Sequence, residues 1–440
     1  MKTNMFIPFI FATVTATCLA QTNFLSLNDA VQVALTNRFD LKIQKVNTEV
    51  SIKQAGEVST RNLPQITSDL DLRYNSKLQS NVLPGSVFGA PNAPDKEVAF
   101  GTTYNTLWGF SINQSVFDPG TMEDRKIADL QSEFQKHNET LSEITIKQEV
   151  TEAYFAALLW REKVKLSGEN MKRAKEVFET SKNLLHMGQA TNYDVQRYEI
   201  DLENAKATDE QNKRSYELAM NDLLYKMSAD TIKSPVLTDS INGLMQQYNV
   251  NPSVYVTSNR TELFQQKVQL DIYNENVSKQ RLLWLPTVSV YGNYSLQYLS
   301  SKYAPFGTDH WYPFNYFGVK ASFPIFDGGL KTETKQEYEL KAEAAQFQYR
   351  KLESDYKQEI NTTQTTLDNS LSDLNYQKKN LALIENLYNI DSERFKNGTI
   401  IQSDLTTTSY TLQQTQTNYI NAVFNYLVAV VRYKKAAGSL

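Results

Sequence analysis

The chain has 440 residues with 45 basic and 49 acidic side chains, so it can bury a sizeable core but offers no broad basic field to hold nucleic acid. Its 16 Gly and 12 Pro fall below the roughly 31 and 22 of average usage, which excludes a loop-rich or disordered chain. A lone cysteine, Cys18, excludes a disulfide framework and a Cys-cluster zinc site.

Lys2, an apolar run from Phe6 to Ala16 interrupted by Pro8, and small residues up to Ala20 predict a secretory signal over residues 1–20, cleaved before Gln21. Lipidation at Cys18 is the alternative, with Thr15 and Thr17 poor residues to precede it. No later stretch has the 18 or more continuous apolar residues of a spanning helix, so helices do not hold the mature chain in a membrane.

Residues 21–227 predict a first structural repeat, with a helix over 26–61, strands over 64–82 and 101–117, a long helix over 121–187 and a returning helix over 191–227. Residues 228–258, with Pro235, Gly243 and Pro252, read as a connector. Residues 259–440 predict a second repeat, with a helix over 259–284, strands over 286–299 and 314–326, a long helix over 330–397 and a returning helix over 402–437.

The two halves match in register. Asn37-Arg38-Phe39-Asp40-Leu41 aligns with Asn259-Arg260-Thr261-Glu262-Leu263, and Leu63-Pro64 with Leu285-Pro286, at an offset of 222. Further on the offset is 210, pairing Gly188, Asp194 and Tyr216 with Gly398, Asp404 and Tyr426, so the first half carries the longer loop, placed at Ser80 to Phe100.

No proline occurs between Pro119 and Pro235 or after Pro324, and both intervals carry 3,4-spaced apolar residues. Val150, Ala153, Ala157, Trp160, Val164, Met171, Ala174 and Phe178 form a heptad seam rich in small residues, which suits closely approaching helices. A helix of this length would run about 100 Å at 1.5 Å per residue.

Between the prolines the period changes to two. Ile66, Leu70, Leu72 and Tyr74 alternate with Thr67, Asp69, Asp71 and Arg73, and Tyr104, Trp108, Phe110 and Ile112 with Asn105, Ser111 and Asn113. Val288, Val290, Tyr294, Leu296 and Tyr298, then Phe317, Val319, Ala321, Phe323 and Ile325, repeat the pattern. Each run is long enough for a tilted membrane strand of about 9 to 11 residues. Four strands cannot close a barrel, and in hydrocarbon each unpaired edge group costs several kcal/mol, so sister subunits must complete the ring. An eight-stranded ring is filled by its own side chains, which favours three copies and twelve strands for a water channel. A soluble sheet capping a helical bundle is the competing reading.

With Pro324-Ile325-Phe326-Asp327-Gly328-Gly329-Leu330 at a strand exit and Gly398-Thr399-Ile400-Ile401-Gln402-Ser403-Asp404-Leu405 at a helix turn, essentially the whole mature chain resembles the TolC-like outer membrane efflux proteins. The resemblance implies a mainly α protein with a membrane β part. Its long antiparallel coiled-coil helices would form an α-barrel tunnel, and its four strands would join a shared twelve-stranded trimeric β-barrel. It implies a homotrimer in the Gram-negative outer membrane that spans into the periplasm. Such a protein is a passive exit duct for an efflux or type I secretion system, joined to an inner-membrane transporter by a periplasmic adaptor, with no cofactor and no enzymatic activity.

By position, the resemblance assigns Asp404 to the narrow periplasmic entrance, with Asp194 its counterpart in the first half. The family's second entrance acid falls on Thr407, its aperture-closing tyrosine on Phe395 and its nearby arginine on Ile400. The turns Gly188-Gln189-Ala190 and Gly398-Thr399-Ile400 correspond to adaptor-docking turns. Thr191-x-x-Asp194 also reads as a capping box, a structural alternative to an entrance carboxylate. Asp118-Pro119-Gly120 and Asp327-Gly328-Gly329 read as strand-to-helix turns, where Asp caps a helix and Gly accepts positive φ. His137, His186 and His310 are too scattered for a metal motif, and no P-loop, dinucleotide fingerprint or nucleophile elbow occurs. A non-conducting periplasmic coiled-coil scaffold or adaptor protein is the alternative function.

Overall fold

A computed structural model describes residues 24–89, 94–229, 235–248, 260–304, 310–397 and 399–440, so the predicted signal segment and Cys18 lie outside the described residues. In chain order the elements are β1 (Phe24–Leu25), α1 (Leu27–Asn37), α2 (Phe39–Thr60), β2 (Gln65–Tyr74), β3 (Gln79–Leu83), β4 (Lys96–Phe100) and β5 (Tyr104–Phe117). They continue with α3 (Pro119–His186), α4 (Asn192–Met227), β6 (Val236–Leu237), α5 (Ile241–Gln247), α6 (Thr261–Leu282), β7 (Thr287–Ser300), β8 (Trp311–Ser322), α7 (Leu330–Lys396) and α8 (Gln402–Ala436). The α3 and α7 helices have 68 and 67 residues, against about 11 to 12 for an average helix.

The chain divides into two compact units, one of residues 1–42, 143–256 and 358–440, the other of 43–142 and 257–357. Both predicted repeats contribute residues to each unit.

In the first unit the core draws on almost every element. Leu27, Ala30 and Ala34 of α1, Val150, Tyr154 and Leu158 of α3, Leu223 and Met227 of α4, and Val423, Val430 and Tyr433 of α8 form one buried cluster. Tyr154, Phe155 and Leu158 are buried beside the expected seam residues Val150, Ala153 and Ala157, so this stretch of α3 buries a face wider than a two-position heptad seam. The β1 strand pairs in parallel with β6 of the connector. Asp239 fastens that junction, its Oδ2 accepting from Leu27 N–H at 2.7 Å and from Tyr154 O–H at 2.8 Å. Arg161 adds bonds to the carbonyls of Leu237 and Asp239, both at 2.8 Å.

The second unit contains an antiparallel sheet in the order β2-β5-β7-β8. Its register sorts the side chains by face. Leu70 stands opposite Trp108, Trp108 opposite Leu296 and Leu296 opposite Pro313, while Ile112, Gly292 and Phe317 form another apolar row. Thr67, Ser111 and Asn293 line up on the reverse face, where the Asn293 amide donates to Ser111 Oγ at 3.0 Å. Tyr312, Phe314 and Tyr316 share the reverse face, so β8 is less cleanly divided than the other strands. A Cβ at Gly318 would lie 2.5 Å from the Tyr291 ring, so a larger residue there would have to displace that ring.

Several boundaries differ from the sequence reading. The helix expected over 26–61 breaks at Arg38, whose ψ of 126° leaves the helical region while its guanidinium bonds Asp40 and Glu149. The strand expected over 64–82 ends at Tyr74, where Asn75 donates to the Thr102 and Thr103 carbonyls and turns the chain. Residues 79–83 instead pair with 96–100, so the expected loop Ser80 to Phe100 contains a separate hairpin. The strand expected over 314–326 runs from Trp311 to Ser322, consistent with Pro324 having no N–H to give a ladder.

Candidate functional site

Two regions carry chemistry, the two helix turns of the first unit and the sheet of the second. At the first turn Gly188 has φ +72°, a conformation that favours glycine, and Gln189 N–H donates to the Leu184 carbonyl at 2.8 Å to close the end of α3. Thr191 then caps α4. Asp194 N–H donates to Thr191 Oγ1 at 3.2 Å, and Asp194 Oδ2 accepts from Thr191 N–H at 2.9 Å and its hydroxyl at 2.6 Å. The Thr191 hydroxyl, with the backbone N–H behind it, holds the Asp194 carboxyl below the usual carboxylate range. Gln189 is exposed and Ala190 half-buried between the two helices.

At the second turn Gly398 lies outside the described residues. Thr399 closes the end of α7 by donating both its N–H and its hydroxyl to the Arg394 carbonyl, each at 2.9 Å. Ile400 is half-buried, and Ile401 takes the cap position with no side-chain bond. Asp404 is exposed in the first turn of α8, its backbone N–H donating to the Ile401 carbonyl at 3.1 Å and its carbonyl accepting from the Thr408 hydroxyl at 3.2 Å, with its carboxylate in no hydrogen bond. Thr407 spends its hydroxyl on the Ser403 carbonyl at 2.9 Å, and Phe395 is half-buried in the last turn of α7. No bond among the described residues joins Asp194, Asp404, Thr407 and Phe395 to one another.

Other residues tie these helices together. The Tyr410 hydroxyl on α8 donates to Asp201 Oδ1 on α4 at 2.6 Å, and burial together with that carboxylate pushes the phenol up to about 12. Thr408 on α8 donates to the buried Asp391 of α7 at 2.7 Å. Sequence reasoning missed both links because each partner lies on a different helix. The one local signal was an acid, Asp391, on an otherwise packed helix face.

At the strand exits, Asp118 Oδ1 accepts from Gly120 N–H at 2.9 Å and its Oδ2 from the Thr121 hydroxyl at 2.8 Å, with Pro119 as the first residue of α3. Gly120 is helical and does not have the expected positive φ. A Cβ there would stand 3.1 Å from Leu283 Cδ2, so a larger residue would require that side chain to shift. Gly328 and Gly329 have φ of +71° and +90°, and Asp327 accepts from Gly329 N–H at 3.0 Å and Lys331 N–H at 3.1 Å.

The apolar face of the sheet is uncovered. Leu70 and Leu72 are each 63% exposed and Phe317 is 83% exposed, a continuous apolar surface that water would penalise. Each outer strand, β2 and β8, has one neighbour in this sheet. No helix among the described residues is long and apolar enough to cross a membrane, and no cluster of three or more His, Cys, Asp or Glu among them could hold a metal.

The family model for outer membrane efflux proteins matches residues 30–226 and 255–439. No protein of curated function matches the chain in sequence. Among solved structures, CusC superposes with a TM-score of 0.77 at 13% identity, over 95% of this chain and 93% of CusC. The open state of the MtrE outer membrane channel of Neisseria gonorrhoeae gives 0.74 at 15% identity, over 94% of this chain and 88% of that one. The CmeC outer membrane channel of Campylobacter jejuni gives 0.73 at 15% identity, over 94% and 85%. At these identities the likeness establishes the fold.

Proposed function

The chain belongs to the outer membrane efflux protein family, and from that premise we propose that this efflux channel works as a homotrimer, the outer-membrane exit duct of a tripartite efflux or type I secretion system. An inner-membrane transporter would load it through a periplasmic adaptor, and the chain itself would use no cofactor. The observation that carries the trimer is the four-stranded sheet with an exposed apolar face and a free edge at each end. In hydrocarbon such edges must be paired, and β8 of one copy against β2 of the next pairs them all in a twelve-stranded ring wide enough for water.

Within this reading residues 1–20 are the signal peptide, 21–227 and 259–440 the two structural repeats, and 228–258 the connector. Asp404 has its carboxylate exposed and uncommitted, so three copies at the periplasmic entrance form a ring that favours cations. Asp194 is committed to its cap and contributes there chiefly by shaping the turn. Thr407 and Phe395 complete the entrance wall. The turns at Gly188, Gln189 and Ala190 and at Gly398, Thr399 and Ile400 receive the adaptor. The turns at Asp118, Pro119 and Gly120 and at Asp327, Gly328 and Gly329 redirect the chain from strand to helix.

The test is recording from the purified protein in planar bilayers, beside the mass of its detergent-solubilised complex. Discrete conductance steps from a three-chain complex are expected, with cation preference reduced in Asp404→Asn. A folded protein that is monomeric and carries no current would overturn the proposal.

A further inference from the structure

The sheet repeats the sequence duplication in its hydrogen-bond register. Between the two halves the strand entries are offset by 222, from Leu63 to Leu285, and the strand exits by 209, from Phe117 to Phe326. Leu70 of β2 pairs with Trp108 of β5, and moving each by its offset arrives at Gly292 and Phe317, which pair in β7 and β8. Gln65 and Asn113 lead in the same way to Thr287 and Ser322, again a pair.

Inside the chain the exit strand β5 pairs with the entry strand β7, Ile112 opposite Gly292 and Ser111 opposite Asn293. At a seam between copies the exit strand is β8 and the entry strand is the next copy's β2. The same offsets turn Ile112 and Gly292 into Ala321 and Leu70, and Ser111 and Asn293 into Lys320 and Asp71. Two independent features agree with that register. Ala321, four residues from Phe317, lies on the apolar face as Leu70 does, whereas a slip of one residue would set apolar side chains opposite polar ones. Lys320 is the sole charged residue of β8, and β2 carries Asp69, Asp71 and Arg73. Lys320 is exposed, and Asp71 accepts from Arg73 at 2.7 Å yet stays 51% exposed, so both charges are open to a partner. They meet at the position where, inside the chain, Asn293 donates to Ser111 at 3.0 Å. A slip of two residues in one direction would instead oppose Lys320 and Arg73, like charges that destabilise a strand pair.

Resting on the trimer proposed above, we propose that β8 of each copy pairs with β2 of the next from Ser322 opposite Asp69 to Phe317 opposite Tyr74, and that a Lys320–Asp71 ion pair fastens every seam on the polar face.

The test is disulfide cross-linking of the purified full-length protein, read on non-reducing denaturing gels beside the mass of the complex in detergent. Within one chain β2 and β8 are three strand spacings apart, about 14 Å, so a disulfide between them joins two copies. Lys320→Cys with Asp71→Cys should give covalent three-chain species, forming at least about tenfold faster than Lys320→Cys with Asp69→Cys or with Arg73→Cys, whose diagonal placement exceeds disulfide reach. Single-cysteine variants, which control for Cys18, should give none. If that pair fails to assemble, Leu70→Cys with Ala321→Cys tests the same register from the apolar face. Lys320→Gln and Asp71→Asn should each lower the temperature at which the complex dissociates, and the double variant should lose less than the sum. A three-chain complex that cross-links preferentially through position 69 or 73, or through no pair, overturns the register and leaves the trimer standing. Strictly additive losses overturn the ion pair. A protein that forms no multi-chain complex overturns the trimer and the seam with it.

Discussion

Replacing Leu70 by Lys tests which face of the sheet meets lipid. Leu70 lies near the middle of β2, in the row with Trp108, Leu296 and Pro313, and is 63% exposed in the single chain. A lysine at the bilayer midplane of a membrane barrel costs about 2–4 kcal/mol, falling to about 0–1 near the interfaces. That range lowers the equilibrium for folding into lipid by about 30- to 700-fold. Thr67 faces the other way, in the row with Ser111 and Asn293, and Thr67→Lys puts the same charge where the barrel interior is wet. The assay is urea-dependent folding into phosphatidylcholine vesicles, followed by gel mobility and tryptophan fluorescence. Leu70→Lys should lose stability within that range, and Thr67→Lys should change little. Equal losses for the two variants, or a Leu70→Lys loss no larger than that of Thr67→Lys, would refute the assignment of faces.

Removing the Asp239 carboxylate by Asp239→Ala strands Leu27 N–H, a bond worth about 1.5–3 kcal/mol to a charged acceptor, while the Tyr154 hydroxyl keeps the Leu25 carbonyl at 2.9 Å, and hydrogen exchange at the Leu27 amide should accelerate accordingly. Unchanged protection there would show that the junction is held by packing instead. The neighbouring, buried Glu123 carboxyl and burial together raise the Glu275 carboxyl above the usual range, with Asp271 adding to the rise and Lys126 opposing it. A raised folded value means the contribution is complete below about 4.3, the unfolded value, and is lost as pH rises through the folded one. Glu275→Gln, which removes the titrating carboxyl, should flatten that part of the stability profile, and an unaltered profile would count against the raised value. Tyr410→Phe deletes the α4–α8 bond to Asp201 and should raise single-channel open time severalfold, whereas an unchanged record would assign closure to other contacts.

The sequence by itself determined the local part of this protein. Proline spacing delimited the 68- and 67-residue helices because proline is excluded from helix interiors and tolerated only in the first turn. The two-residue period separated Leu70 and Leu72 from Asp69 and Asp71 because successive strand side chains point to opposite faces. Thr191 and Asp194 announced a helix start because a capping box needs residues only three apart.

Only the tertiary structure decided what depends on distant partners. The break at Arg38 accompanies a bond to Glu149, 111 positions away. Nothing near Asp239 in the chain foretold its hold on Leu27 and Tyr154. Tyr410 finds Asp201 across 209 residues. Periodicity reports which way a side chain points, but which side chain it meets is settled when separate elements pack.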